Sequence, residues 1–132
     1  FYAENGGGAF LSETRMTRRI RVSPRKDYKK SLIIYSGNNP EDIKLKTNVS
    51  LQNLNTDALN LGYLSAGIID AYIGKGKNVF DISAGVLIAK EAGAIIRAYD
   101  KEGKITDRVF EADLVICGNS YLQSELTSII IK

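Results

Sequence analysis

The pattern of apolar and polar positions divides the chain into short strand-like runs and longer helical stretches. Strand-like runs, rich in β-branched and aromatic residues, cover 9–11, 20–22, 31–35, 49–51, 70–73, 94–99 and 113–117. Helical stretches cover 40–46, 56–66, 81–92 and 120–131. The last stretch places Leu122, Leu126, Ile129 and Ile130 on one apolar stripe. The pattern therefore predicts a chain in which strands and helices alternate.

Local signals predict where the helices begin and end. Asn55 or Thr56 can cap the helix over 56–66, and Gly67 follows its last turn. Gly93 follows the helix over 81–92 in the same way. The first two strands are expected to form a hairpin. Strands alternating with helices of this length predict an α/β fold, with a mixed, largely parallel sheet flanked by helices. No repeat or linker interrupts the sequence, so residues 1–132 are expected to form a single unit.

Composition excludes several classes of site. A chain of 132 residues that is 44% hydrophobic can bury a core without disulfides or a structural metal. It contains no His, which excludes Ser-His-Asp and Cys-His catalysis and imidazole zinc sites. The single Cys117 lies in an apolar run and is interpreted as an inert core residue of a protein in a reducing compartment. No apolar run approaches the ~20 residues that span a bilayer, so no membrane association is expected.

Basic residues are concentrated in one stretch, although the net charge is only +3. Between residues 15 and 30, eight Lys and Arg residues stand against one acid, Asp27. We interpret this stretch as the solvated edge of the hairpin, because exposed Lys and Arg discourage pairing with other strands. A nucleic-acid surface is the alternative, but it requires stacking aromatic side chains, and only Tyr28 offers one. The Gly-Lys-Gly-Lys segment over 74–77 lacks the spacing of a P-loop and is interpreted as a solvated turn.

Three acids, Asp57, Asp70 and Asp81, stand apart from the scattered surface charges. Asp81 lies at a predicted helix start, ahead of an almost uncharged run. It is either an N-cap or a carboxylate that binds a divalent cation at the carboxyl end of a sheet. Asn55 and Thr56 are either a helix cap or a place where free helix N–H groups bind an anion or a hydroxyl. Residue types and spacing alone leave these alternatives open.

Several short motifs, in order along the chain, resemble those of the inositol monophosphatase family. They are Asp-Ala-Tyr over 70–72, Phe-Asp-Ile-Ser-Ala-Gly over 80–85, Lys-Glu-Ala-Gly-Ala over 90–94 and Gly-Asn over 118–119. Upstream, Gly-Gly-Gly-Ala-Phe-Leu over 6–11 and Ile-Arg-Val-Ser over 20–23 are similar to a hairpin of the same family. Because order and spacing agree throughout, the resemblance covers essentially the whole chain.

The resemblance implies the C-terminal half of a layered α/β/α/β/α sandwich, with residues 1–132 as one unit. It also implies Mg²⁺-dependent hydrolysis of a phosphate monoester by metal-activated water, in a cytoplasmic homodimer. Asp81 corresponds to a catalytic metal ligand of the family, with a further role near the leaving-group oxygen. The family's other ligands, a Glu-Glu pair and an Asp-Pro-x-Asp-Gly-Thr motif, precede the hairpin and are absent from this sequence. The 132 residues are therefore expected to be inactive by themselves.

Departures from the family pattern fall at the implied substrate-binding residues, Asn55, Thr56, Asp57 and Gly74. The family's Gly-[Ser/Thr]-Ala-Ala segment, which contacts substrate, appears here as Asn-Thr-Asp-Ala over 55–58. Gly74 stands where a Glu often binds a sugar hydroxyl. The resemblance implies an inositol or sugar phosphate as the substrate. The alternative is a non-catalytic protein that retains only this half of the fold and binds a ligand or RNA through its groove or basic hairpin.

Overall fold

A computed structural model describes residues 1–39, 51–52, 56–77 and 79–131. Within these ranges, nine strands form a three-stranded and a six-stranded sheet, and three α-helices pack against them. The strands are β1 (Tyr2–Glu4), β2 (Gly8–Glu13), β3 (Met16–Ile20), β4 (Ile33–Ser36), β5 (Leu51–Gln52), β6 (Ala71–Lys75), β7 (Ile95–Tyr99), β8 (Ile105–Thr106) and β9 (Leu114–Gly118). The helices are α1 (Asp57–Ser65), α2 (Val79–Glu91) and α3 (Ser120–Ile130).

The six-stranded sheet has the strand order β5-β4-β6-β9-β7-β8. The pairings of β4 with β5 and with β6 are parallel, whereas the three pairings that involve β9 or β8 are antiparallel. The α/β class and the mixed sheet are thus confirmed, but the sheet is not largely parallel in these residues. The reason is that β9 runs against both of its neighbours, with Gly118 opposite Ala71 and Ile95.

This topology gives the sheet two distinct ends. We call the end where β4 finishes at Ser36 and β6 at Lys75 the carboxyl end, and the opposite end the amino end. Strand β7 runs in the same direction as β6, because both are antiparallel to β9. Helices α1 and α2 therefore each return from the carboxyl end to the amino end, and their first turns both lie at the carboxyl end.

The core lies on both faces of the six-stranded sheet, because successive side chains of a strand point to opposite faces. Ile34, Tyr72 and Cys117 pack on one face with residues of α1 and α2. Ile33, Ile73 and Ile116 pack on the other face with Leu122 and Leu126 of α3. Burial raises the pKa of the Cys117 thiol to about 12, so its interpretation as an inert core residue is confirmed.

Strands β2 and β3 form the predicted hairpin, but β3 covers 16–20 rather than 20–22, because the polar residues expected in the loop belong to an exposed strand. With β1, which the sequence did not predict, they form the three-stranded sheet that packs on α2. Ala9 and Ile20 are buried with Ala92, which directly follows that helix. On its other side α2 meets α1 so closely that a Cβ at Gly85 would lie 2.6 Å from Leu61 Cβ. The layers are therefore the three-stranded sheet, helices α1 and α2, the six-stranded sheet and α3. None of the helices in the described ranges has the length and apolar character to span a bilayer.

The helix bounds agree with those predicted to within about two residues. Thr56 caps α1, and Gly67 and Gly93 adopt positive φ after α1 and α2, as their places in the sequence indicated. The predicted helix over 40–46, residues 49–50 of the predicted strand and Asn55 lie outside the described residues. Tyr28, the one aromatic residue suggested for nucleic-acid stacking, is buried, so it cannot stack on a base.

Candidate active site

The carboxyl end of the six-stranded sheet brings together four of the five residues that the sequence analysis selected. Thr56 and Asp57 lie at the start of α1, Gly74 lies near the end of β6, and Asp81 lies in the first turn of α2. They share this end because both helices follow strands that finish there. The fifth residue, Asn55, is outside the described part of the chain. Which of these residues contact substrate stays a prediction.

Thr56 has the local role that its position indicated. Its backbone is extended, and its Oγ1 accepts a hydrogen bond from the backbone N–H of Leu59 at 3.3 Å. Thr56 is thus the N-cap of α1. The side chain is exposed at the same time, so the cap and a contact with substrate are compatible.

Asp57 is held by two partners from β6 and the segment that follows it. The Tyr72 hydroxyl donates to Asp57 Oδ1 at 2.6 Å, and Lys77 Nζ lies 3.2 Å from Asp57 Oδ2. Burial, followed by the hydrogen bond to Asp57 and the charge of that carboxylate, raises the pKa of Tyr72 far above its usual range. The phenol therefore stays protonated and donates to Asp57.

The solvated-turn interpretation of the 74–77 segment is wrong for Lys77. Its side chain is only 20% exposed, and its ammonium group is paired with Asp57. The sequence carried no signal for this pair, because the two residues belong to different elements and meet only through the fold. Tyr72 belongs to a recognisable motif, but the sequence carries no signal for its contact with Asp57.

Gly74 is buried beneath the ring of Tyr72. A Cβ at Gly74 would lie 2.7 Å from the Tyr72 hydroxyl oxygen, so a larger residue here requires the tyrosine to move. The same arrangement recurs on the other face of the sheet, where the ring of Tyr35 occupies the space that a side chain of Gly37 would need. The contact of Tyr72 with Asp57 thus depends on the absence of a side chain at position 74.

Asp81 is exposed and is the third residue of α2, so it is not the N-cap itself. A carboxylate in the first turn still interacts favourably with the positive end of the helix dipole. Carboxylate oxygen is a ligand that Mg²⁺ prefers, and Asp81 fits that requirement as one ligand. The described residues contain no group of three acidic, Cys or His side chains that could complete a metal site.

Other residues of the recognised motifs lie away from this site and stabilise the fold. Asp70 begins the connection to β6 at the amino end, where its Oδ2 accepts from Leu32 N–H at 2.7 Å and lies 3.4 Å from Arg25 Nε. Asn119 caps α3 and donates from Nδ2 to the carbonyl groups of Ser23 and Arg25. The segment between the hairpin and β4 is therefore attached to the amino end of the sheet.

Glu91, at the end of α2, holds the glycine turn of the hairpin. Its two carboxylate oxygens accept from the N–H groups of Gly6 at 2.7 Å and Gly8 at 2.9 Å. These two hydrogen bonds keep the pKa of Glu91 below its usual range. A Cβ at Gly8 would also lie 3.0 Å from the guanidinium of Arg19, and Gly8 has a positive φ. The glycines of this turn and Glu91 therefore form one structural unit.

The fold and the placement of these side chains define an α/β protein with its candidate site at the carboxyl end of a mixed sheet. The sequence model of the inositol monophosphatase family matches residues 1–132, and the chain belongs to that family. Two relatives are an inositol-1-monophosphatase of Rhizobium meliloti and a fructose-1,6-bisphosphatase of Pyrococcus furiosus. The first is 29% identical over 141 residues, with 98% of this chain and 50% of the relative covered. The second is 39% identical over 109 residues, with 81% of this chain and 40% of the relative covered.

A solved structure shows the same fold. The crystal structure of the extragenic suppressor protein suhB from Bartonella henselae superposes with a TM-score of 0.79 at 28% identity, covering 98% of this chain and 51% of that one. The chain thus spans about half the length, or less, of the relatives and the structure that it matches.

Proposed function

We propose that the complete protein containing this chain is a Mg²⁺-dependent hydrolase of phosphate monoesters of sugars or inositol. The observation that carries the proposal is the family match over all 132 residues, together with Asp81 at the start of α2. The names of the Rhizobium and Pyrococcus relatives describe phosphatases of an inositol and a sugar phosphate. These names supply the substrate class of the proposal.

In this proposal the residues of this chain bind and orient the metal and the substrate, and the attacking group is a water molecule rather than a side chain. Mg²⁺, when bound, activates water and neutralises phosphate charge. Asp81 would hold the metal with one carboxylate and lie close to the leaving-group oxygen. Thr56 and the first N–H groups of α1 would contact substrate hydroxyl or phosphate oxygens. The remaining carboxylates would be provided by the half of the protein that this chain does not include. A homodimer remains part of the proposal.

The proposal is tested by assaying the complete protein with inositol 1-phosphate, fructose 1,6-bisphosphate and p-nitrophenyl phosphate. We expect turnover of at least one substrate with Mg²⁺, and its loss in excess EDTA. The 132-residue chain by itself is expected to give no turnover, since one carboxylate does not assemble a metal site.

Each other outcome contradicts part of the proposal. Strong Mg²⁺-dependent turnover by the chain alone would show that the assignment of missing ligands is wrong. A folded complete protein with no turnover of any phosphate monoester would favour the non-catalytic alternative, in which this half binds a ligand or RNA.

A further inference from the structure

Asp57 connects the start of α1 to two neighbouring segments at the carboxyl end of the sheet. Its Oδ1 accepts from the Tyr72 hydroxyl of β6 at 2.6 Å, and its Oδ2 lies 3.2 Å from Lys77 Nζ. Exposed ion pairs contribute little, because water screens them and both side chains are mobile. The pair of Asp57 and Lys77 differs, since the two side chains are only 11% and 20% exposed. Lys77 is therefore bound to a carboxylate that the sheet itself holds in place.

Lys77 belongs to the connection that leads from β6 to the proposed metal ligand. It follows the end of β6 by two positions and precedes Asp81 by four. Directly before it, Gly76 has a φ of 67°, and its N–H donates to the carbonyl of Asp113 at 2.9 Å. Because a glycine restricts the backbone little, the chain direction at this point depends on the contacts around it. The ion pair of Lys77 is such a contact, and it lies between the hydrogen bond of Gly76 and the first turn of α2.

Core contacts hold α2 from Ile82 onward. Asp81 is exposed, whereas Ile82 is 1% exposed, and a Cβ at Gly85 would lie 2.6 Å from Leu61 Cβ in α1. These contacts act on the C-terminal side of Asp81, and the ion pair of Lys77 acts on its N-terminal side. Asp81 thus lies between a segment attached to the core and a segment attached to Asp57.

We propose that Lys77, bound to Asp57, is a positioning residue for Asp81 and holds the start of α2 where that carboxylate can bind Mg²⁺. Tyr72 takes part by fixing Asp57. The inference rests on the proposed function and deepens it, because it names residues that govern metal affinity without being ligands. Mg²⁺ demands a nearly ideal octahedral arrangement, so a ligand that can shift binds it less tightly.

The test uses the complete protein with Lys77→Met, which removes the ammonium group and keeps a long side chain. Asp57 can still accept from Tyr72 in this variant, so the fold should be retained. In EDTA, the Gly76 amide should exchange with solvent about 5-fold faster, because the connection opens more easily. The Kd for Mg²⁺, measured by calorimetric titration, should rise about 10-fold, as is typical when a residue that supports a metal ligand is replaced. Lys77→Arg keeps the charge and should restore both values.

Kinetics distinguish positioning from a contact with substrate. With p-nitrophenyl phosphate, the Mg²⁺ concentration for half-maximal turnover should rise about 10-fold in Lys77→Met. Turnover at saturating Mg²⁺ and KM for this substrate should change by less than about 2-fold, because Asp81 is still present and excess metal offsets its weaker binding. Asp81→Asn should not recover in this way. A higher KM with an unchanged Mg²⁺ requirement would assign Lys77 to substrate binding and overturn the proposal.

The matched control is Arg25→Met, which breaks the ion pair with Asp70 at the amino end of the sheet. This variant should lower the melting temperature and leave the Kd for Mg²⁺ unchanged. A wild-type Kd in Lys77→Met, or an equal rise in Arg25→Met, would overturn the positioning role. If the wild-type protein binds Mg²⁺ but hydrolyses no phosphate monoester, the proposed function fails. The titration and the exchange of the Gly76 amide then still decide whether Lys77 positions Asp81.

Discussion

The two ends of the six-stranded sheet contain the same kinds of polar side chain but use them differently. At the amino end, Asp70 and Asn119 hydrogen-bond to the main chain of Leu32, Ser23 and Arg25. At the carboxyl end, Asp57 and Lys77 pair with each other, and Asp81 is exposed in the first turn of α2. One end thus joins distant segments of the chain, whereas the other pairs residues of neighbouring elements and contains the proposed metal ligand.

The comparison shows that one family motif can contain both a residue that stabilises the fold and a residue that organises the candidate site. Asp70 and Tyr72 are two positions apart in one motif, yet Asp70 stabilises the amino end and Tyr72 organises the carboxyl end. Likewise Asp81 and Glu91 both lie in α2, but Glu91 binds the backbone of the hairpin. Substitutions at the two ends should therefore separate activity from stability.

The largest effect is expected from Asp81→Asn in the complete protein. It removes a negative charge from the proposed metal ligand, so Mg²⁺ affinity should fall and turnover should drop by about 100-fold or more. The melting temperature should hardly change, since Asn preserves the shape of an exposed side chain in the first helical turn. Steady-state kinetics over a range of Mg²⁺ concentrations and thermal unfolding measure both quantities.

Asp107→Asn, at an exposed acid away from the site, is the control and should leave turnover unchanged. If Asp81 contributes only to the helix terminus, Asn will be nearly neutral for turnover and stability, and Ala will be harmful to stability. Wild-type turnover in Asp81→Asn would remove this residue from the active site.

The opposite result is expected at the amino end for Asn119→Ala. The substitution removes the cap of α3 and leaves the carbonyl groups of Ser23 and Arg25 without their side-chain donor. The free energy of unfolding should fall by about 2–3 kcal/mol, measured by urea denaturation. Turnover per folded molecule should stay the same.

Asn119→Ser separates the two contributions of this residue. Serine can still cap α3 but lacks the amide donors. The free energy of unfolding of Asn119→Ser should therefore lie between those of the wild type and the Ala variant. A large loss of turnover in either folded variant would show that the two ends of the sheet are not independent.

The smallest effect, and the one that depends on pH, is expected for Glu91→Gln. The pKa of Glu91 is lowered in the folded protein, so its carboxylate stabilises the fold at pH values above the ordinary range of a Glu. This stabilisation is lost as the pH falls through the lowered pKa. Unfolding curves should therefore give the wild-type protein a larger free energy of unfolding than Glu91→Gln at pH 7. This difference should shrink as the pH falls. A difference in the free energy of unfolding that is equal at every pH, or a similar difference for Glu102→Gln at an exposed Glu, would contradict this account.

Local features of the fold could be predicted from the sequence, and features that depend on tertiary arrangement could not. Thr56, Gly67 and Gly93 mark helix ends through their own backbone preferences, so the helix bounds follow from them. Strand direction has no such local signal. Strand β9 lies between β6 and β7 and is antiparallel to both, an arrangement that is fixed by packing of the whole sheet. For this reason the prediction of a largely parallel sheet is wrong.

The same distinction applies to the candidate site. The family resemblance selected Thr56, Asp57, Gly74 and Asp81, and the topology brings all four to one end of the sheet. It could not select Lys77, because the partner of this residue, Asp57, belongs to another element, and the two side chains meet only in the folded chain.

The contacts of Asn119 also affect the order in which this chain can fold. Its side chain meets the carbonyl group of Ser23 across 96 positions of sequence and that of Arg25 across 94. During synthesis, the segment around these two residues emerges 94 to 96 positions ahead of Asn119 and lacks its partner until that residue has been translated. Contacts between such distant positions carry a high entropic cost of loop closure and form slowly. The segment between the hairpin and β4 is therefore expected to remain open to chaperones and proteases until α3 docks.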